Sequence, residues 1–169
     1  MKPLRSTLAI LVLTMLSAQS ALAHPHFQKT IAVKLPSGTE VTLTYVTTPA
    51  NEMRAAEVKV GAFVTPRRPV LKLSAELKVG TITLAPGEYT IGVIKNGDND
   101  WTMALYPGVL DRATTPDVAK AIKLDSVYSS THGKVEHMLL DVTPGEGKFE
   151  GKAVLTLHFG TMFLAAALT

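Results

Sequence analysis

The sequence predicts an all-β fold: an antiparallel β-sandwich of roughly eight to ten short strands behind an export signal. Three observations carry this expectation. Apolar residues alternate with polar ones at a period of two along most of the chain after Phe27. Glycine, proline and asparagine interrupt the alternation every few residues. Beyond the first twenty residues, the only run with helical character is Pro116-Asp117-Val118-Ala119-Lys120-Ala121-Ile122, where Pro116 could take a first helical position. Periodicity of two, β-branched residues and Gly/Pro punctuation together form the strand signature.

The chain opens on Lys2 and Arg5, followed by the apolar run Leu8 to Leu16 and by small residues ending in Ala21-Leu22-Ala23. A charged start, a short apolar core and an Ala-x-Ala tail make a secretory signal peptide over residues 1–23. The apolar core falls well short of the roughly 20 residues that span a bilayer. Cleavage after Ala23 would leave a mature chain over residues 24–169, read as a single domain, in the periplasm or secreted. No later apolar stretch is long enough for a membrane span; Phe163 to Leu168 is far too short.

The strands can be followed in order. Ile31, Val33 and Leu35 alternate until Pro36-Ser37-Gly38 stops them. Val41, Leu43 and Tyr45 repeat the pattern with threonines between. Val58 to Val64 and Val70 to Leu73 are shorter apolar runs, separated by Thr65-Pro66-Arg67-Arg68-Pro69, which the prolines make a loop or an edge. Tyr89, Ile91 and Val93 then share one face, and Asn96 to Asp100 turns the chain into Trp101, Met103 and Leu105, a β-hairpin. Ala121 to Tyr128 and Val135 to Val142 flank Ser129 to Gly133 and suggest a second hairpin. Ala153, Leu155, Leu157 and Phe159 form a long closing strand, separated by Gly160 from a final apolar run.

The segment LKVGTITLAPGEYTIGVIKNGDNDWTMALYPG, residues 77–108, resembles the core of the bacterial family called domain of unknown function 2911, through Leu84, Pro86, Gly87, Tyr89, Asp98, Trp101 and Thr102. KVEHMLLDV and GKAVLTLHFGTMFLAAAL are similar to the closing strands of that family, so the resemblance covers about residues 68–168. It implies an exported β-sandwich and no established activity. The Trp-Arg-Thr-Gly-Ala-Asn segment usual in the family is replaced here by FVTPRRPVLKLS, so no role of that segment carries over. Physically, Tyr89 and Trp101 suit cross-strand packing in the interior. Trp101 could instead stack on a ligand, but it is the only tryptophan, and packing is the commoner use.

Charge and composition exclude several chemistries. Of 17 basic and 14 acidic side chains, Lys2 and Arg5 would leave with the signal, so the mature chain is close to neutral. Arg67-Arg68 is the only basic doublet, which gives no row of cations for nucleic acid. There is no cysteine, hence no disulfide, thiolate site or cysteine nucleophile. Asn96, Asp98 and Asp100 lack the glycine and glutamate spacing of a calcium loop and read as turn residues. No Gly-x-Ser-x-Gly elbow or His-Glu-x-x-His pair is present, and nothing raises the expectation of an enzyme.

His24-Pro25-His26 is the remaining candidate. After cleavage, the His24 amine and imidazole could chelate Cu(II), with His26, His132, His137 or His158 completing the set. Pro25 lacks the N–H that the usual amide-chelated terminal site deprotonates, though a side-chain brace does not need it. Of the others, His158 alternates onto the face of Val154 and Thr156, and His132 falls in a turn. His137 shares a face with Val135 and Leu139, where a hydrogen-bonded core histidine is expected. The plain alternative is an exposed terminal stub. The expected function is therefore a non-enzymatic exported binding or scaffold domain for an envelope or extracellular ligand or protein. A periplasmic copper-binding protein using His24 and His26 is the alternative.

Overall fold

A computed structural model describes residues 26–169, so the expected signal over residues 1–23 and the ligand candidate His24 lie outside the described residues. The fold is an antiparallel β-sandwich. One sheet contains β1 (Gln28–Lys34), β2 (Glu40–Val46), β4 (Val70–Leu73), β7 (Gly87–Gly97), β8 (Asp100–Pro107) and β9 (Ile122–Lys123) in that spatial order, with β3 (Phe63–Val64) also paired to β7. The facing sheet runs β10 (Ser126–Ser129), β13 (Met162–Leu168), β12 (Ala153–Gly160), β11 (Val135–Pro144). A small ribbon, β5 (Leu77–Val79) with β6 (Ile82–Leu84), closes one side. The count exceeds the expected eight to ten only through the two- and three-residue pieces β3, β5, β6 and β9.

The alternation read from the sequence is what builds the core. In β2, Val41, Leu43 and Tyr45 are buried while the residues between them are half-exposed. Register carries this face across the sheet: Leu43 opposes Leu71, Leu71 opposes Tyr89, and Ile91 opposes Leu105. The facing sheet contributes Met138 and Leu140 from β11, Leu155 and Leu157 from β12, and Leu164 and Leu168 from β13 to the same cluster. Burying such aliphatic side chains is worth about 1.5–3 kcal/mol each, and this is what holds together a fold without disulfides. A second, smaller cluster of Phe63, Ile94, Ala104 and Leu110 covers the outer face of the larger sheet. Tyr89 and Trp101 are buried at 7% and 5% exposure, as expected, and the Tyr89 hydroxyl donates to the Ala85 carbonyl at 2.8 Å.

Three local expectations differ from the structure. The β7–β8 hairpin is present, but Asn96 and Gly97 still belong to β7, and a register shift between Lys95 and Gly97 leaves Asp98-Asn99 as the turn. The second expected hairpin does not form: β10 pairs with β13 and β11 with β12, placing β10 and β11 at opposite edges of their sheet. Alternation reveals strands but not partners, and the pairing across more than thirty residues leaves no local mark. The segment at Pro116 supplies only a short 3₁₀ turn over Val118–Lys120, capped by Asp117. Among the described residues the α-helix is instead α1 (Glu52–Ala56), where the Asn51 side chain accepts from the Arg54 amide at 3.0 Å. Among the described residues, no helix is long and apolar enough to cross a membrane.

Candidate functional site

At one end of the sandwich the sheets do not meet, and a cavity of about 590 Å³ opens between them. Its apolar walls come from both sheets: Val93 and Trp101 from the larger, Leu157, Phe159 and Met162 from the smaller. Helix α1 contributes Ala55 and Arg54, and the loop between β3 and β4 contributes Arg68. No carboxylate lines the cavity. A volume in the range of about 300–1,000 Å³, with apolar walls and few polar groups, is the usual form of a small-molecule site. Trp101 is core, as expected, and it also contributes to the cavity wall.

The backbone around this end is held in place at a cost. Arg67 and Arg68 both have positive φ, 55° and 51°, the only non-glycine residues among the described ones to do so. Left-handed backbone costs an L-residue about 1–2 kcal/mol, and the flanking Pro66 and Pro69 fix the loop around it. Arg68 Nη2 donates to the Thr114 carbonyl at 3.3 Å, while Nη1 is enclosed without a partner. The turn beneath Thr114 is tied by Asp111, whose carboxylate accepts from the Ala113 and Thr114 amides. Those bonds from Thr114 and Ala113, with a contribution from the Arg68 charge, hold the Asp111 carboxyl below its usual range.

Helix α1 is anchored from two sides. Glu52 accepts from the Thr161 amide and hydroxyl at 2.9 and 2.8 Å and pairs with Lys134 at 2.8 Å. The Lys134 bond leads these in lowering the Glu52 carboxyl to about 2. At the other end, Lys95 is buried at 3% exposure, its ammonium donating to the Ala56 carbonyl at 2.8 Å and lying 5.7 Å from the Trp101 ring centroid. A cation on the last carbonyls of a helix is a favourable cap. Lys95 shares the inward face of β7 with Ile91 and Val93, and the irregularity of the strand begins just after it.

The histidines form no single cluster: the His132 and His158 rings meet edge-on at 6.0 Å between centroids, while His26 is held elsewhere, at Thr47. His26 Nδ1 donates to the Thr47 carbonyl at 2.9 Å, and its Nε2 faces Arg67 Nη2 at 3.5 Å. The nitrogen left for a metal thus has a guanidinium beside it, and the second member of the expected copper pair, His24, is outside the described residues. His132 is exposed yet stacks on Phe163 at 3.9 Å, and His158 meets the same ring edge-on at 5.5 Å. His137 is not in the core: Met138, Leu140 and Val142 form the buried face of β11, and Leu139, on the face of His137, is 40% exposed. Among the described residues, no group of three histidine or carboxylate side chains could hold a metal ion.

Sequence reasoning missed the cavity residues Arg54 and Arg68. Its one available signal was the arginine doublet between prolines, which stood out only as too small for nucleic acid. Comparison of the chain with family models, with curated proteins and with solved structures finds no match.

Proposed function

We propose that the protein is an exported, non-enzymatic binding module whose ligand occupies the cavity between the open ends of the two sheets. The observation that carries this reading is the cavity itself: about 590 Å³ bounded by apolar strand side chains of both sheets, by α1 and by the loops around it. Export rests on the residues 1–23 pattern, and the resemblance to the domain of unknown function 2911 family agrees with an exported β-sandwich. The family-like positions Gly87, Tyr89 and Trp101 belong to β7 and β8, which supply structure and one cavity wall rather than reacting groups.

The lone tryptophan makes the test direct, because the single source of tryptophan emission lies in the cavity wall. Titration of the mature protein with 1-decanol, an uncharged apolar probe, is expected to change Trp101 emission saturably. Ala55→Phe, which fills the cavity from α1, is expected to abolish the change while leaving the far-ultraviolet circular dichroism of the β fold intact. No saturable change, or an equal change in Ala55→Phe, would overturn the reading. Intact-mass analysis of protein from the envelope fraction tests export: the expected chain begins at His24, and one retaining residues 1–23 rejects the signal.

A further inference from the structure

We propose that the ligand class is an organic monoanion with an apolar body, a carboxylate whose head group is taken by Arg68 with Arg54 beside it; this rests on the binding-module reading above. Three observations converge on it.

The first is the unmet capacity of Arg68. A guanidinium carries five N–H donors and cannot lose its charge. Here one bond goes to the Thr114 carbonyl, and Nη1 is enclosed with no partner. An unpaired, desolvated donor on a charged group is a standing cost, larger than for a neutral one. A carboxylate in the cavity, met by a turn of the Arg68 side chain towards it, would remove that cost, because its two oxygens match the guanidinium fork.

The second is the sign of the surroundings. The lining holds two guanidiniums and no carboxylate. The buried Lys95 ammonium lies behind Trp101 and α1, adding a third positive charge near the same wall. Of the acidic groups close by, Glu52 is bound to Lys134 and Thr161 and Asp111 to the backbone of its own turn, while Asp98 lines a separate, smaller hollow that shares the Trp101 wall. A cationic ligand would find no counter-charge here. A polyphosphate would find charge but few polar walls, since Trp101, Phe159, Leu157 and Met162 offer only apolar surface.

The third is the backbone. Two consecutive arginines in left-handed conformation are retained where glycine or asparagine would be unstrained. Strain of this kind persists where the surroundings over-determine it, and such positions cluster at ligand clamps. In this loop it turns the chain between Pro66 and Pro69 so that Arg68 borders the cavity while Arg67 remains outside, near His26.

The experiment compares two probes of equal chain length, decanoate and 1-decanol, at submicellar concentration on the mature protein, read by Trp101 emission. Wild type is expected to bind decanoate about tenfold or more tightly than 1-decanol, the gain from a charge-assisted bond in a desolvated site. Arg68→Gln should erase that preference, with the far-ultraviolet circular dichroism of the β fold retained to show that the variant is folded. Arg68→Lys should restore only part of it, because a point charge lacks the planar fork. The exposed Arg54→Gln should weaken decanoate by about two- to threefold. Equal affinity of wild type for both probes, or a preference that survives in Arg68→Gln, overturns the anion assignment while the cavity reading stands. Absence of response to either probe overturns both.

Discussion

The two open ends of the sandwich enclose cavities of similar size, about 590 and about 540 Å³, built from different material. The first joins strand side chains of both sheets, the Trp101 ring among them, to α1 and loop residues, with Arg54 and Arg68 in its lining. The second lies where Val33 to Pro36 leave β1 and where β11 gives way to β12, and its lining includes Pro36, Pro144, Gly145 and Gly151 with Lys34 and Lys152. Those turn residues are there to reverse the chain. The Gly145 amide donates to the Lys152 carbonyl at 2.7 Å, and Gly151 adopts a φ of 74°. Volume alone therefore does not distinguish a site from the space left under a loop. What distinguishes the first end is the coincidence of a core aromatic, an unpartnered buried donor and strained backbone.

The largest expected effect follows from the double duty of Trp101. Trp101→Ala removes a core side chain and a cavity wall together, and should cost about 3–5 kcal/mol in urea unfolding. That is a large part of the roughly 5–15 kcal/mol of a typical domain. A loss below about 1 kcal/mol would mean that the ring is not packed as described, and would make the first end as loosely built as the second.

Gly92 gives the next largest effect. It lies in the middle of β7, and an added Cβ would overlap the Phe63 ring and come 2.6 Å from the Val64 carbonyl. Gly92→Ala should destabilise by about 1–3 kcal/mol as β3 is pushed off β7. Because Phe63 and Val64 also line the first cavity, the same variant should lower 1-decanol affinity there. Gly151 at the other end has open space around an added Cβ, so only its left-handed φ opposes substitution. Gly151→Ala should leave 1-decanol binding unchanged.

The sharpest contrast between the ends is chemical. Lys34→Gln combined with Lys152→Gln removes the cations of the second cavity and should leave decanoate affinity within about twofold of wild type. Arg68→Gln alone should lower it about tenfold. Equal losses from both changes would mean that decanoate responds to overall charge and that the two ends do not differ.

Much of this organisation could be read from alternation. β2 announces itself because it exposes one face and buries the other, and β7, β8 and β12 keep a large apolar residue at nearly every second position even though parts of both their faces are buried. The signal fails where the apolar residues stop alternating. Asn51 to Val58 reads as mixed polar sequence, yet Asn51 caps a helix whose Ala55 packs against the core. β11 misleads by one position: Val135 and Leu139 appear to mark its inner face, but the register shift between them transfers burial to Met138 and Leu140. The candidate site was nearly invisible for a related reason. Thr48, Arg54, Arg68, Trp101 and Phe159 are far apart in sequence and are brought together only by the tertiary fold, so even the lone tryptophan and the arginine doublet give no sign that they share a cavity.

The smallest expected effect tests how firmly α1 is fixed at the first end. Glu52 joins the helix to the β12–β13 turn through Thr161 and Lys134; the other ion pair among the described residues, Lys72–Glu88, spans neighbouring strands at 3.9 Å. Gly160 belongs to the same anchor, since its φ of 62° and the Glu52 side chain 2.7 Å from an added Cβ both demand glycine. Because the folded Glu52 carboxyl titrates near 2 instead of 4.5, its contribution is fully present above pH 4.5 and is lost as pH falls towards 2. The side chain is 38% exposed, so solvent screening reduces that contribution to no more than about 1 kcal/mol. Urea midpoints for wild type and Glu52→Gln should differ most near neutral pH and converge as pH approaches 2. Curves that stay parallel across that window would show that Glu52 does not anchor α1 through its charge, and that Arg54 and Ala55 are positioned by packing alone.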